Sequence, residues 1–402
     1  MVKRAPGATL PVVRVVGTHA ELGRAMGLHK AQQIRTAVDA ALEHMRELEI
    51  TEAALREQIA PYVAAAEATF PQYVVELREM ARAAEVPFDL VFRLNCYESW
   101  PAGLRRRRMG AEPAPAAEPP SVPAKDPGTM AAGAAANVDG HQNGCSVSSG
   151  EIQTAPAAPP AADGCTSVVS QGERGIVAGH TEDSFPEAAD GLYLFDATIA
   201  ERNPFTGAER SRFLALNYAQ TLPGCAAAVN DRGLIVLIDA LPDPERNVGV
   251  PRHFVSRALL DTEDIESAID LLRTTNRGGG WNFVLVQGQR AVNVETTATR
   301  VSATEVTDGR YAHTNHYVDQ ALSGDPGEPR PNSLARLTRA LELVRPGLDV
   351  AAMKHLLSDR QGFPDSICRE RTIGAFIADT AARRVTVCWG EPEGGTWTEH
   401  EW

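Results

Sequence analysis

The stretch Gly164-Cys165-Thr166-Ser167-Val168-Val169-Ser170, leading through Gly175 to Gly179-His180-Thr181-Glu182-Asp183, decides how this chain reads. Before it lies a segment rich in Ala, Pro, Gly and Ser, from Arg105 to about Asp163, that has few large apolar residues with which to build a core. After it the pattern turns strand-rich. A cysteine at such a junction is placed to become the first residue of a new chain. If the Gly164–Cys165 bond is cut, residue 165 carries both a thiol and a free α-amine, a nucleophile and its base in one residue.

Working upstream, Pro11 to Gly17 reads as a short strand. Glu21 to Glu49 then spaces Leu22, Met26, Ile34, Val38, Leu42 and Met45 at helical intervals, which predicts one long helix. Further helices are expected over 52–68 and 71–84, with 88–100 packed. Downstream, strands are expected over 175–179, 213–218, 226–230, 234–239, 283–287, 291–295, 372–377 and 385–389. Helices are expected over 251–260, 264–274, 333–344 and 348–357. Asp264 suits the first turn of the second of these helices, and Asn332 or Ser333 would cap the third. Hairpin-like strand pairs with helices between them favour an α/β or α+β sandwich over a parallel doubly wound sheet.

Composition narrows the function. A net charge of −13 over 402 residues, with one short basic run at Arg105–Arg108, argues against nucleic-acid binding. The six cysteines, Cys96, Cys145, Cys165, Cys225, Cys368 and Cys388, form no CxxC pair, which fits neither a disulfide framework nor a zinc site. Cys96, Cys225, Cys368 and Cys388 read as small core residues. No run approaches the ~20 apolar residues of a membrane-spanning helix, and the N-terminus lacks an apolar signal core, so a reducing, cytoplasmic setting is expected. No GxGxxG or GxxxxGK[ST] points to a nucleotide. His313 and His316, three apart on an expected strand, face opposite ways and suit a single metal ion poorly.

Four motifs taken in order resemble one family. Gly164-Cys165-Thr166, Gly179-His-Thr-Glu-Asp183 at 183 − 165 = 18, Val229-Asn230-Asp-Arg-Gly233-Leu234 and His313-Thr-Asn315-His-Tyr317 are similar to the acyl-coenzyme A:6-aminopenicillanic acid acyltransferase family. That family belongs to the N-terminal-nucleophile hydrolases and is related to choloylglycine hydrolases and acid amidases. Val13 to Ile34 and Asn95-Cys-Tyr-Glu98 resemble its opening strand and helix and the end of its propeptide.

The resemblance implies a four-layer αββα sandwich of the N-terminal-nucleophile hydrolase type. It implies an N-terminal portion (1–104), a flexible insertion ending at the cleavage site (105–164) and a catalytic portion (165–402). Cys165 would cut the chain after Gly164, leaving a self-derived two-chain heterodimer. It would then form a thioester with a small acyl compound and pass the acyl group to water or an amine. Asp183 would orient the new α-amine, while Asn230 and Asn315 would organise the nucleophile and the oxyanion. Ser333-Leu-Ala-Arg336 resembles a helix start that presents arginine to the site, with Arg339 an equal candidate to turn inward. His180 departs from the arginine that the choloylglycine and acid-amidase relatives carry there. No cofactor or metal is expected, and a coenzyme A thioester is the acyl donor that the penicillin-pathway relatives suggest.

Three alternatives compete. A non-catalytic scaffold on the same fold is one. An uncut cysteine hydrolase using His180 as base is another. In the third, Cys145, which also follows a glycine, is the nucleophile, although it lies 38 residues before Asp183.

Overall fold

The computed structural model describes residues 2–99, 164–242, 245, 247–323 and 330–402. The Arg105–Arg108 run, Cys145 and all of the expected insertion except Gly164 lie outside these residues.

Alternation along the strands builds the layers. In β4 (Leu192–Ile199), Tyr193, Phe195 and Ala197 join an apolar cluster with the N-terminal helices, while Leu192 and Leu194 join a different cluster. β5 (Ser211–Tyr218) divides the same way, Phe213 and Ala215 against Leu214 and Leu216. The second cluster is shared with Val169 of β2 (Thr166–Gln171), Ile176 and Ala178 of β3 (Ile176–Asp183), and Phe376 and Ala378 of β12 (Thr372–Asp379). Their alternate residues Val168, Val177, Ala375 and Ile377 pack in a third cluster with the C-terminal helices. A side-chain period of two thus gives each sheet two apolar faces. The order of packing is helices, sheet, sheet, helices, which meets the mixed α+β expectation.

One sheet runs β1-β4-β5-β6-β7-β8-β9-β10, the other β11-β2-β3-β12-β13-β14. β1 (Val12–Gly17) is parallel to β4, so the N-terminal portion supplies an edge strand to a sheet otherwise built from residues after Cys165. β6 (Ala227–Asn230), β7 (Ile235–Asp239), β8 (Asn282–Gln287) and β9 (Arg290–Thr296) fall where the sequence placed them. So does β13 (Arg384–Trp389). β4, β10 (Val301–Glu305), β11 (Arg310–His313) and β14 (Trp397–Glu401) had no clear apolar alternation to announce them.

The long helix expected over 21–49 is two, α1 (His19–His29) and α2 (Ala31–Glu47), broken at Lys30. Close packing fixes α1. Its Gly23 and Gly27 meet α4 (Pro71–Ala84) so tightly that a Cβ would lie 2.1 Å from the Glu76 carbonyl oxygen and 2.4 Å from that of Met80. Between them in the chain runs α3 (Glu52–Thr69), and α5 (Phe88–Leu94) follows α4.

Beyond the strands, α6 (Arg252–Leu259) precedes α7 (Ile265–Thr274), which Asp264 caps with a reciprocal Ser267 bond. α8 (Pro331–Leu343) starts two residues earlier than expected, because Pro331 presets the first helical φ and leaves Arg330 as the cap. Asn332 and Ser333 therefore lie inside the helix. α9 (Val350–Leu357) completes the outer layer.

Candidate active site

Cys165 lies just before β2 and is buried. The β2–β3 register pairs Thr166 with Thr181, so Cys165 stands beside Glu182 and Asp183 at the end of β3. β12 flanks β3 on its other side and brings Thr372 level with Asp183. Antiparallel pairing thereby joins residues 165, 183 and 372 in one place.

Asp183 is fully engaged. Arg369 Nε donates to its Oδ2 at 2.6 Å and Thr372 Oγ1 to its Oδ1 at 2.7 Å. Arg336 projects inward from α8, donating to the Cys165 carbonyl, to Thr166 Oγ1 at 2.9 Å and to Asn315 Oδ1 at 2.7 Å. Arg339 points the other way, onto Asp359 and Glu342. Burial and the nearby Arg369 charge bring the Arg336 guanidinium down to about 10. Asn315 donates to the Ala240 carbonyl at 3.0 Å, and Ser333 Oγ accepts its backbone N–H.

His180 is buried between Ser167 Oγ, 3.0 Å from Nδ1, and Glu182 Oε2, 2.9 Å from Nε2. Burial opposes its protonation, but the Glu182 hydrogen bond and charge outweigh burial and raise its pKa. Tyr218 donates to the other Glu182 oxygen at 2.6 Å. The thiol of Cys165 is pushed well up by burial first, then by the charges of Glu182, Asp239 and Asp183, while a backbone hydrogen bond from Asp183 favours the thiolate. A protonated resting thiol follows, which needs a base at the moment of attack.

Behind Asn315, His313 bridges Asp239 Oδ2 at 3.2 Å and Glu295 Oε1 at 2.9 Å. Burial resists its charge, yet the hydrogen bonds it donates to Asp239 and Glu295 and the charges of these carboxylates raise its pKa to about 9. His313 ends β11 and His316 lies beyond it on Ser333, so the two rings serve different networks.

Asn230 goes elsewhere. Its Oδ1 accepts from Arg232 N and Leu234 N, and its Nδ2 donates to the Leu260 and Thr262 carbonyls. These four bonds use the Asn230 amide to close the β6–β7 hairpin. Cys225 is also not simply core. It is half-buried and lines the same pocket as Cys165.

That pocket is walled by Tyr97, Tyr218, Ile238, Arg252, His253 and Trp281, with Cys165, Glu182 and Asp183 on its floor. His253 stands edge-on to Trp281 with centroids 4.9 Å apart and lies 5.2 Å from Tyr97. The Arg252 guanidinium carbon is 5.0 Å from the Trp281 ring. Sequence reading missed Arg369, Thr372, Glu182 and Tyr218. Arg369 sits in Ser366-Ile-Cys-Arg, which carries no motif, and only its place before β12, the neighbour of β3, brings it to Asp183.

The family model "AAT: Acyl-coenzyme A:6-aminopenicillanic acid acyl-transferase" matches residues 170–394, which places the chain in a class of acyltransferases and related amide hydrolases. The chain belongs to the acyl-coenzyme A:6-aminopenicillanic acid acyltransferase family. It is 23% identical over 348 residues to a beta-alanyl-dopamine/carcinine hydrolase of Drosophila melanogaster, covering 81% of this chain and 78% of that protein. It is 26% identical over 248 residues to the acyl-coenzyme A:6-aminopenicillanic-acid-acyltransferase 40 kDa form of Emericella nidulans, covering 58% of this chain and 66% of that protein. Among the described residues no helix is long and apolar enough to cross a membrane.

Proposed function

We propose that this protein is a self-processing cysteine amidohydrolase or acyltransferase with the N-terminal-nucleophile αββα architecture. One observation carries the proposal. Gly164 and Cys165 sit at the head of an inner strand, with the guanidinium groups of Arg336 and Arg369 against Gly164 and the Asp183 carboxylate beside the thiol.

In the precursor, Cys165 Sγ attacks the Gly164 carbonyl carbon. The thiol proton passes to the Cys165 nitrogen, the C–N bond breaks and a thioester remains. Water hydrolyses it, leaving chains 1–164 and 165–402. The fixed guanidinium groups stabilise the developing oxyanion without reorganising. In the mature enzyme the freed α-amine takes the thiol proton as Sγ attacks the substrate carbonyl, and returns a proton to the departing amine. The acyl group then passes from Sγ to water or to an amine, whose lost proton restores the thiol, with a coenzyme A thioester as an alternative acyl donor.

Asn315 and Arg336 act as one unit at this centre, and His180 supplies a titratable positive charge. The substrate is a small N-acyl amine whose ring rests among Tyr97, His253 and Trp281, a wall suited to a flat aromatic group. The Drosophila relative's named substrates support that choice. The reducing cytoplasm is the compartment proposed for a working thiol.

A second reading rests on a specific arrangement: the donor atoms of Cys165, His180 and Glu182 lie within 4.8 Å of one another. An uncut chain would then use His180, steadied by Glu182, as the base. Intact mass of the purified protein beside Cys165→Ala, with N-terminal sequencing, separates the two. Chains beginning at residues 1 and 165 in the wild type, with the variant uncut, support self-processing. A single 402-residue chain that turns over substrate overturns it.

A further inference from the structure

Among the described residues, Cys165, His180 and Glu182 bring together a thiol, an imidazole and a carboxylate whose donor atoms all lie within 4.8 Å of one another. Geometry produces the cluster. His180 and Glu182 are two apart on β3 and share a face, and Cys165 stands across from Glu182 on the neighbouring strand. His180 Nε2 and Glu182 Oε2 are already 2.9 Å apart. Tetrahedral zinc, with bonds of about 2.0–2.3 Å, holds its ligand atoms about 3.3–3.7 Å apart. Exchanging the shared proton for an ion moves this pair by less than about 1 Å, and closing the widest gap takes about 1 Å more.

Cleavage before residue 165 adds a fourth donor. The free α-amine and Sγ of one cysteine close a five-membered chelate ring around a metal. Side-chain chemistry agrees: thiolate and imidazole select zinc-like ions over calcium or magnesium. The carboxylates of Glu182, Asp239 and Asp183 place negative charge around the sulfur, which penalises a bare thiolate but favours one bound to a dication. Arg369 and Arg336 oppose this, but Arg369 is neutralised by Asp183 and Arg336 is held by Asn315 and the Cys165 carbonyl. The pocket gives solvent a route to Cys165 and Glu182.

We propose that the processed protein binds one zinc-class divalent ion through the α-amine and Sγ of Cys165, an imidazole nitrogen of His180 and the Glu182 carboxylate, and that the ion reversibly blocks the nucleophile. The inference rests on the self-processing reading. Binding releases to solvent the thiol and α-ammonium protons and the proton shared by His180 and Glu182, and involves no redox change.

Co2+ added to the purified protein is the test, read as a thiolate-to-cobalt charge-transfer band in the near ultraviolet, with Zn2+ titrated in to displace it. The expected result is one equivalent bound and a band abolished in Cys165→Ser and kept in Cys225→Ser. His180→Ala and Glu182→Gln should weaken binding by at least the about tenfold that even outer partners of a ligand set contribute. Thermal unfolding checks that each variant is folded, with His180→Gln as a second choice at that position. Intact mass of the same sample separates the two ideas. A cut protein with no band, or with a band that survives Cys165→Ser, overturns the metal site and leaves self-processing standing. An uncut protein removes the α-amine donor and overturns both.

Discussion

Arg369 occupies the space that a side chain at residue 164 would need: a Cβ on Gly164 would lie 2.3 Å from Arg369 Nη2. The guanidinium has little freedom to retreat, because its Nε is held by Asp183 at 2.6 Å. Gly164→Ala is therefore expected to slow self-cleavage about tenfold or more, the rate effect of roughly 1.4 kcal/mol on the barrier. A time course of the uncut chain by mass spectrometry checks it. Cleavage at the wild-type rate would mean that Arg369 does not pack against the scissile bond in the precursor.

Arg369→Met removes the partner of a buried carboxylate and leaves Asp183 only Thr372. Breaking a buried pair from one side costs about 3–5 kcal/mol. Asp183→Asn combined with Arg369→Met should recover part of that loss, since no lone charge remains. Urea unfolding of the two singles and the double measures the coupling.

Asn230 and Asn315 should separate cleanly. Asn315→Ala withdraws the amide that joins Arg336 to the Ala240 carbonyl and is expected to lower kcat by about a hundredfold or more, as for loss of an oxyanion-organising group. Asn230→Ala opens a hairpin, costing about 1–3 kcal/mol of stability with kcat of the folded fraction little changed. Steady-state kinetics alongside thermal unfolding tells them apart.

Stability should peak near pH 6.5. His313 has its pKa raised from 6.5 to about 9, so its contribution is complete below 6.5 and is lost as pH rises through 9; His180 shifts in the same direction. His316 is held down to about 4 by burial, then by the His313 and Arg336 charges, with Glu295 opposing. The unfolded chain protonates it first as pH falls, so stability declines from 6.5 toward 4. Urea midpoints from pH 4 to 9 test both limbs, and His313→Asn should flatten the alkaline one.

A buried network ties the N-terminal helices to residues that follow Cys165 in the chain. Arg257 meets Glu76 at 2.8 Å and Asp261 at 3.1 Å, His19 meets Glu76 at 2.6 Å, and Tyr73 donates to Asp261 at 2.6 Å. Glu76 would be raised by burial, but the Arg257 charge, the His19 hydrogen bond and charge and the Arg257 hydrogen bond together outweigh this and lower its pKa. Arg257→Ala should cost about 3–5 kcal/mol. If the chain is cut, it should also let the two pieces part at lower urea, which gel filtration in a urea series detects.

Sequence alone determined most of the local elements, the family and the candidate nucleophile. Period-two and period-3.6 patterns are written in neighbouring residues, and Gly164-Cys165 and Asp183 lie within a single hairpin. It also offered Asn315, and either Arg336 or Arg339, as candidates. The break at Lys30 and the strands β4, β10, β11 and β14 were not legible, because packing of α1 on α4 and pairing with a neighbouring strand decide them. The same holds for Arg369, Glu182 and the aromatic wall of Tyr97, His253 and Trp281. Arg369 reaches Asp183 from 186 positions away because β12 pairs with β3. Asn230 shows the converse: its motif matched, but four hydrogen bonds within the fold commit its amide to a turn. Spacing in the chain records which groups are near in sequence; only sheet pairing and helix packing bring distant charges to one thiol.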